Sequence, residues 1–216
     1  MAGTTKSLND LIKGNQKFKD VHFPKLEEKY GKLVEHGQNP QILFIGCSDS
    51  RVVPDLIVNS KPGDMFILRN IGNFVPPYAN DNDFHGSSSA IEYAVSVLGV
   101  KDIIVCGHSH CGAISSLYKD LSNEPDLQHV KKWLSLGQKA KEYASLALGK
   151  NATKENLQKI TEKISIKHQL ENLLTYPAVL RKINNGELDI HGWHYKIEDG
   201  SIEVYDGELC DFKPLN

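Results

Sequence analysis

Apolar residues are distributed unevenly along this chain. Between residues 41 and 107 they gather in three short unbroken runs, QILFIG at 41–46, MFIL at 65–68 and DIIVCG at 102–107. Runs of this length, rich in Ile and Val, predict β-strands, and unbroken rather than alternating apolarity predicts strands covered on both faces, as in a parallel sheet. Between the second and third runs, SSSAIEYAVSVLGV sets Ile91, Ala94, Val95 and Leu98 on one helical face. Ser87 or Ser88 is expected to cap that helix and Gly99 to end it. Alternation of strand and helix is the signature of an α/β fold.

The flanking regions are more polar. Residues 7–37 predict one or two helices, with Leu8, Leu11 and Ile12 at helical spacing and a charged stretch that ends on Gly37. So few apolar positions cannot form a core, and the segment is expected to pack on the domain or on a partner subunit. Residues 125–186 predict two or three helices with breaks near Gly149 and Pro177, and residues 189–197 and 201–206 predict a hairpin turning at Asp199-Gly200. The expected architecture is a single α/β domain with a mainly parallel central sheet flanked by helices. It has an N-terminal helical arm (1–37), a core over 38–216 and a C-terminal β-hairpin.

Composition narrows the function classes. The 216 residues suffice for one good-sized core, and 40% hydrophobic and 24% charged content with net charge −2 mark an ordinary globular chain. Basic residues are interleaved with acids, which argues against a nucleic-acid partner. Even the stretch from Lys131 to Lys167 carries Glu142, Glu155 and Glu162, and reads as a solvated helical face. No window approaches the ~20 apolar residues of a membrane span, and the N-terminus lacks a signal-peptide core, so a cytoplasmic location is expected. Cys47, Cys106, Cys111 and Cys210 are too few and too unevenly spaced for a disulfide framework; they are expected to be free or metal-bound.

Chemistry concentrates where two of the strands end. The first runs into Cys47-Ser48-Asp49-Ser50-Arg51 and the third into His108-Ser109-His110-Cys111. In an open parallel sheet, ligands gather beyond the carboxyl ends of the strands, so Cys47, His108 and Cys111 are placed to converge. Two thiolates and one imidazole suit Zn²⁺, and three protein ligands leave a fourth position open for chemistry. On spacing alone His110 competes with His108. Cys106, inside the third run, is expected in the core, and Cys210 has no evident partner.

Three separated motifs, C-S-D-S-R at 47–51, R-N-I-G-N at 69–73 and G-H-S-H-C-G-A at 107–113, in this order and spacing resemble those of β-class carbonic anhydrases. The resemblance runs from about Gln38 to Leu117. It implies Zn²⁺ held by Cys47, His108 and Cys111, with Asp49 and Arg51 as a catalytic dyad and His110 in a structural or rim role. The implied reaction is reversible hydration of CO₂ to bicarbonate and a proton, with hydroxide on the zinc as nucleophile. Thiolate ligands make water on the metal harder to ionise, which gives Asp49, kept ionised by Arg51, a role as hydrogen acceptor.

The resemblance also implies a closed form in which Asp49 itself becomes the fourth zinc ligand. Family members prone to it carry a tryptophan three residues before the first zinc cysteine, where this chain has Phe44. Gln38, Phe66 and Tyr93 match the plant-type subset, whose glutamine donates to substrate and whose aromatic residues form an apolar CO₂ pocket. An open site at neutral pH is therefore expected. In the family the N-terminal helices wrap a neighbour and the pocket is completed across the interface, so a homodimer or higher homo-oligomer is expected. The rival readings are a carbon disulfide or carbonyl sulfide hydrolase on the same scaffold and a non-catalytic zinc module. Arg69 and Asn70 are expected to brace the loop after the second strand, Gly72 to serve a backbone need, and His191 and His194 to be structural or exposed.

Overall fold

The computed structural model describes residues 6–81 and 83–215. The chain divides into two compact units, Met1–Gln38 and Asn39–Asn216. In the first, helix α1 (Leu8–Lys17) leads through a π-helical turn, Phe18–His22, and a 3₁₀ turn, Phe23–Lys25, into α2 (Glu27–His36). A capping box starts α1: the Ser7 hydroxyl accepts the Asp10 N–H at 3.3 Å, and the Asp10 carboxylate accepts the Ser7 N–H at 2.9 Å. Gly37 ends α2 at φ 78°. Neither helix contains a buried residue, and Leu8, Leu11 and Ile12 are exposed, as the scarcity of apolar positions dictates.

The second unit contains β1 (Ile42–Cys47), α3 (Pro54–Ile57), β2 (Met65–Asn70), α4 (Gly86–Glu92) and β3 (Asp102–His108). Helices α5 (Gly112–Ser116), α6 (Gln128–Leu134), α7 (Gln138–Leu148), α8 (Lys154–Leu173) and α9 (Pro177–Asn184) follow. The chain then returns to the sheet as β4 (Asp189–Tyr195), β5 (Ile202–Asp206) and β6 (Asp211–Pro214). The strands form one sheet in the order β2-β1-β3-β4-β5-β6, parallel from β2 to β4 and antiparallel thereafter. Successive residues of a strand face opposite sides. Leu43, Ile45, Ile103 and Val105 therefore meet Ile91, Val95, Ile166 and Leu173 on one face, while Phe44, Ile104 and Cys106 join Trp193 on the other. Both faces are covered, which is why the runs are unbroken.

Several expectations change in detail. Neither Ser87 nor Ser88 caps α4. His85 occupies the N-cap but its side chain does not cap the helix, while Ser87 Oγ accepts from Asn70 and Ser88 Oγ bonds the Tyr176 hydroxyl. Residues Tyr93–Leu98 continue α4 as a π-helix that Gly99 ends in the left-handed region at φ 68°, as expected. The segment from 125 to 186 forms four α-helices rather than two or three. The single-turn helices α3 and α5 are too short for periodicity to reveal. Strand β4 is more than half of a hairpin: it pairs parallel with β3 along its whole length, so it belongs to the central sheet. The further strand β6 pairs antiparallel with β5 at the sheet edge.

Candidate metal centre

Strands β1 and β3 are hydrogen-bonded neighbours running in the same direction, with Gly46 opposite Cys106. Their carboxyl ends therefore deliver Cys47 and His108 side by side, and the turn after β3 brings Cys111 back to them. The Sγ atoms of Cys47 and Cys111 and a ring nitrogen of His108 lie within 4.8 Å of one another, all three residues buried. Among the described residues this is the one cluster of metal-ligating side chains that meets this distance.

The protonation of the three groups points to a cation. Cys47 is pushed down to about 4, chiefly by the hydrogen bond from the Cys111 thiol and against the effect of burial, with help from His108. That same contact and burial drive Cys111 far up. Two thiolates this close repel unless a positive charge sits between them, so one stays protonated until a metal replaces the proton. Burial disfavours the charged form of His108, but the Cys47 thiolate prevails and raises its pKa. His108 Nδ1 lies 2.8 Å from the Ser109 carbonyl, an acceptor that commits Nδ1 as the donor. Nε2 is then left bare, buried and without a partner. A buried imidazole nitrogen beside two sulfurs is the donor chemistry of a zinc site with one histidine and two cysteines, and the residues fit that ion.

Asp49 stands beside this set with Oδ2 4.0 Å from His108 Nε2. Arg51 holds it through Nε on Oδ1 at 2.9 Å, Nη2 on Oδ2 at 2.7 Å and its own backbone N–H on Oδ1 at 3.0 Å. These bonds keep the Asp49 carboxyl well below the usual carboxylate range, Arg51's side chain being the main cause. Arg51 Nη2 also donates to the His110 carbonyl at 3.0 Å. His110 takes a left-handed backbone conformation, φ 56°, between the second and third metal-ligating residues, and its ring is exposed at the rim. Spacing left His110 and His108 in competition; the structure brings His108, and not His110, next to the two cysteines.

The brace of the site differs from expectation. Arg69 holds the loop after β1, not the one after β2: Nε donates to the Cys47 carbonyl at 2.9 Å and Nη2 to the Asp49 carbonyl at 2.8 Å. Asn70 does brace the loop after β2, exchanging both amide bonds with the Phe74 backbone at 2.8 and 2.9 Å. Gly72, at φ 79°, has no room for a side chain, since a Cβ there would lie 2.9 Å from that of Ala113.

Two carboxylates near the site escaped the sequence reading. Glu162, read as part of a solvated face, is buried. Its Oε1 accepts the Cys111 N–H at 3.0 Å, and its Oε2 lies 3.6 Å from the buried His194. The signal was available in principle, because Glu162 shares a helical face with Ile166, Leu170 and Leu173 and is a lone charge on an apolar stripe. Glu198, in the β4–β5 turn, bonds Ser109 and His110, and no local pattern announces it. His191 is structural, bonded to Asp102 at 2.8 Å. Cys106 lies in the core, its thiol pushed up to about 12 by burial, and Cys210 is exposed.

A cavity of about 280 Å³ opens beside Cys47 and Asp49, walled by Ile71, Ala113, Val130 and Leu134. It shares Ser48, Ile71 and Val130 with a larger cleft of about 840 Å³ that leads outward past His85 and Trp133. Phe66 and Tyr93 do not line it. They pack on each other with rings tilted by 32° and centroids 5.8 Å apart, so the expected aromatic CO₂ wall is not built within one chain. Gln38 is exposed at the end of the first unit.

Residues 42–202 match the family model described as carbonic anhydrase. The chain is 44% identical over 202 residues to a carbonic anhydrase of Synechocystis sp., covering 94% of this chain and 72% of that protein. Among solved structures it resembles the β-carbonic anhydrase CcaA with a TM-score of 0.88 and 41% identity, covering 96% of this chain and 92% of the other. It also resembles one of two tetrameric β-carbonic anhydrases of Sordaria macrospora, with a TM-score of 0.69 and 31% identity over 91% of this chain and 92% of that one.

Proposed function

The chain belongs to the β-class carbonic anhydrase family, and on that premise we propose that Cys47, His108 and Cys111 hold a zinc ion beside which Asp49 and Arg51 direct the attack of water on carbon dioxide. The family's reaction, reversible hydration of CO₂ to bicarbonate and a proton, is the reaction of this chain, and zinc is its metal. Zinc, when bound, supplies the Lewis acidity that makes water a usable nucleophile near neutral pH.

The observation that carries the division of roles is the fork between Asp49 and Arg51 at 2.9 and 2.7 Å. An ionised carboxylate only accepts hydrogen bonds, so Asp49 Oδ2 accepts a hydrogen bond from the O–H that the attacking oxygen keeps, and so turns that oxygen's lone pair toward CO₂. Arg51 keeps Asp49 ionised and therefore unable to serve as an acid. Ile71, Ala113, Val130 and Leu134 offer an apolar wall to a substrate without a dipole and keep bulk water from competing.

The same fork supports a site that is open at neutral pH, because Asp49 would have to leave three N–H donors to bind the metal. Phe44 is fully buried and packs edge-on to Trp193, in the position of the tryptophan of closed-form members. The placement of Phe66 and Tyr93 away from their own chain's cavity supports their serving, with Gln38, the pocket of a second copy. The exposed Leu8, Leu11 and Ile12 and the tetrameric relatives support a homodimer or larger homo-oligomer. No described helix is long and apolar enough to cross a membrane. Three buried free cysteines fit a reducing compartment, and we place the enzyme in the cytoplasm.

Stopped-flow CO₂ hydration on zinc-loaded protein tests this reading, with turnover expected at neutral pH. Zinc-loaded protein that hydrolyses carbonyl sulfide but leaves CO₂ untouched would overturn it. Sedimentation at working concentration tests the assembly, which a fully active monomer would refute.

A further inference from the structure

The two residues between His108 and Cys111 are held from several sides, and one side chain accounts for two of the holds. Ser109 donates its backbone N–H to the Tyr195 carbonyl at 2.9 Å and accepts from His108 Nδ1 at 2.8 Å. Its hydroxyl oxygen accepts the Ile197 N–H at 2.9 Å, which commits the single hydroxyl proton to Glu198 Oε2 at 2.6 Å. The other oxygen of the same carboxylate, Oε1, lies 2.7 Å from His110 Nε2. Glu198 is fixed in turn by the β4–β5 turn, which Lys196 and Ser201 close at 2.8 Å and in which Gly200 takes φ 79°.

His110 itself is left-handed at φ 56°, a conformation that a non-glycine residue keeps only when its surroundings over-determine it. That conformation has a consequence at the site. It turns the His110 carbonyl toward Arg51 Nη2, 3.0 Å away, the same nitrogen that bonds Asp49 Oδ2 at 2.7 Å. Hydrogen bonds from a surface turn thus hold the Ser109-His110 peptide, whose carbonyl bonds the guanidinium that aims Asp49.

We propose that Glu198 is a positioning residue for the Asp49–Arg51 pair, acting through the Ser109–His110 peptide and never touching substrate. Its effect on turnover rests on the carbonic anhydrase reading; its effect on Arg51 does not. The Glu198 carboxyl is drawn down to about 2, mainly by the Ser109 hydroxyl and its own backbone N–H and also by His110, consistent with a carboxylate committed to both partners.

Zinc-loaded, ¹⁵N-arginine-labelled protein and its variants provide the test, read by solvent exchange of the Arg51 Nε–H and by CO₂ hydration kinetics. In Glu198→Ala the Arg51 Nε–H is expected to exchange faster, and kcat to fall about tenfold with KM nearly unchanged, a loss of aim rather than of binding. Zinc content should stay at the wild-type level. Glu198→Gln keeps an acceptor for Ser109 but not the charge, and should lie between wild type and alanine; it also carries the comparison if the alanine variant fails to fold. Glu155→Gln is the control, since Glu155 is an acid lining the same nook that bonds Lys159 and neither Ser109 nor His110. Arg51 exchange as slow in the Glu198 variants as in wild type overturns the proposal. An equal change in Glu155→Gln also overturns it, because charge rather than contact would then be responsible. Faster Arg51 exchange in a protein that never hydrates CO₂ would uphold the positioning role and defeat the proposed function instead.

Discussion

Glu162, from the middle of α8, accepts the backbone N–H of Cys111 at 3.0 Å. The bond ties the turn that carries Cys111 to the longest helix among the described residues, and the same oxygen also accepts from Gln158 at 3.0 Å. A group that fixes a ligand's backbone limits how far its sulfur can drift when the metal leaves.

Replacing Glu162 by alanine strips a buried N–H of its acceptor. The expected cost is about 1–3 kcal/mol of stability and a zinc affinity lower by roughly 10–100-fold. Glu162→Gln, which retains an acceptor, should lose less. Denaturant titration and competition with a chromophoric chelator measure the two effects separately.

Asp49→Ala separates an enzyme from a zinc-stabilised module. The side-chain hydrogen bonds of Asp49 go to Arg51, itself exposed, so removal of the carboxylate should leave fold and zinc content intact. Loss of the acceptor should lower kcat by about 10²-fold or more. Metal analysis beside stopped-flow kinetics checks both halves of the statement.

The pH dependence follows from the same carboxylate. Arg51 depresses the Asp49 carboxyl, so Asp49 is ionised throughout the neutral range, and the stability it contributes is present above its unfolded pKa of about 3.9 and lost only as pH falls through the lower folded value. Turnover at about pH 7 is therefore expected without a rise attributable to Asp49. Arg51→Lys keeps the charge but not the fork, nor the bond to His110, and should lower kcat about tenfold with wild-type zinc content. A pH–rate profile of the two proteins decides it.

Ile166 packs where two glycines leave room. A Cβ on Gly107 would meet its Cδ1 at 2.8 Å, and a Cβ on Gly192 its Cγ2 at 2.8 Å. Gly107→Ala and Gly192→Ala should each cost about 1–3 kcal/mol, the usual penalty of overpacking. Gly107→Ala should also weaken zinc binding, because it displaces the strand next to His108. Thermal unfolding with and without added zinc reads both.

The amino-acid order by itself determined the elements that announce themselves locally. Unbroken apolar runs made β1 and β3 legible because a strand buried on both faces has no polar position to show; the half-buried edge strand β2 showed in its first four residues only, and Gly99 and Asp199-Gly200 ended their elements through backbone freedom alone. The convergence of Cys47, His108 and Cys111 was also legible, because parallel neighbouring strands must deliver their carboxyl ends to one edge. Only the tertiary structure decided what depends on contacts between distant segments. Of two histidines that spacing could not rank, it brought His108 to the cysteines and left His110 exposed. Packing of α8 against the sheet put Glu162 behind Cys111 and not in water, and the pairing of β4 with β3 set Glu198 over Ser109. The side chain of Arg69 reached across from β2 to the loop after β1. Local sequence carries periodicity and chemical type, whereas these outcomes are set by which surfaces bury each other, a property that no single segment holds.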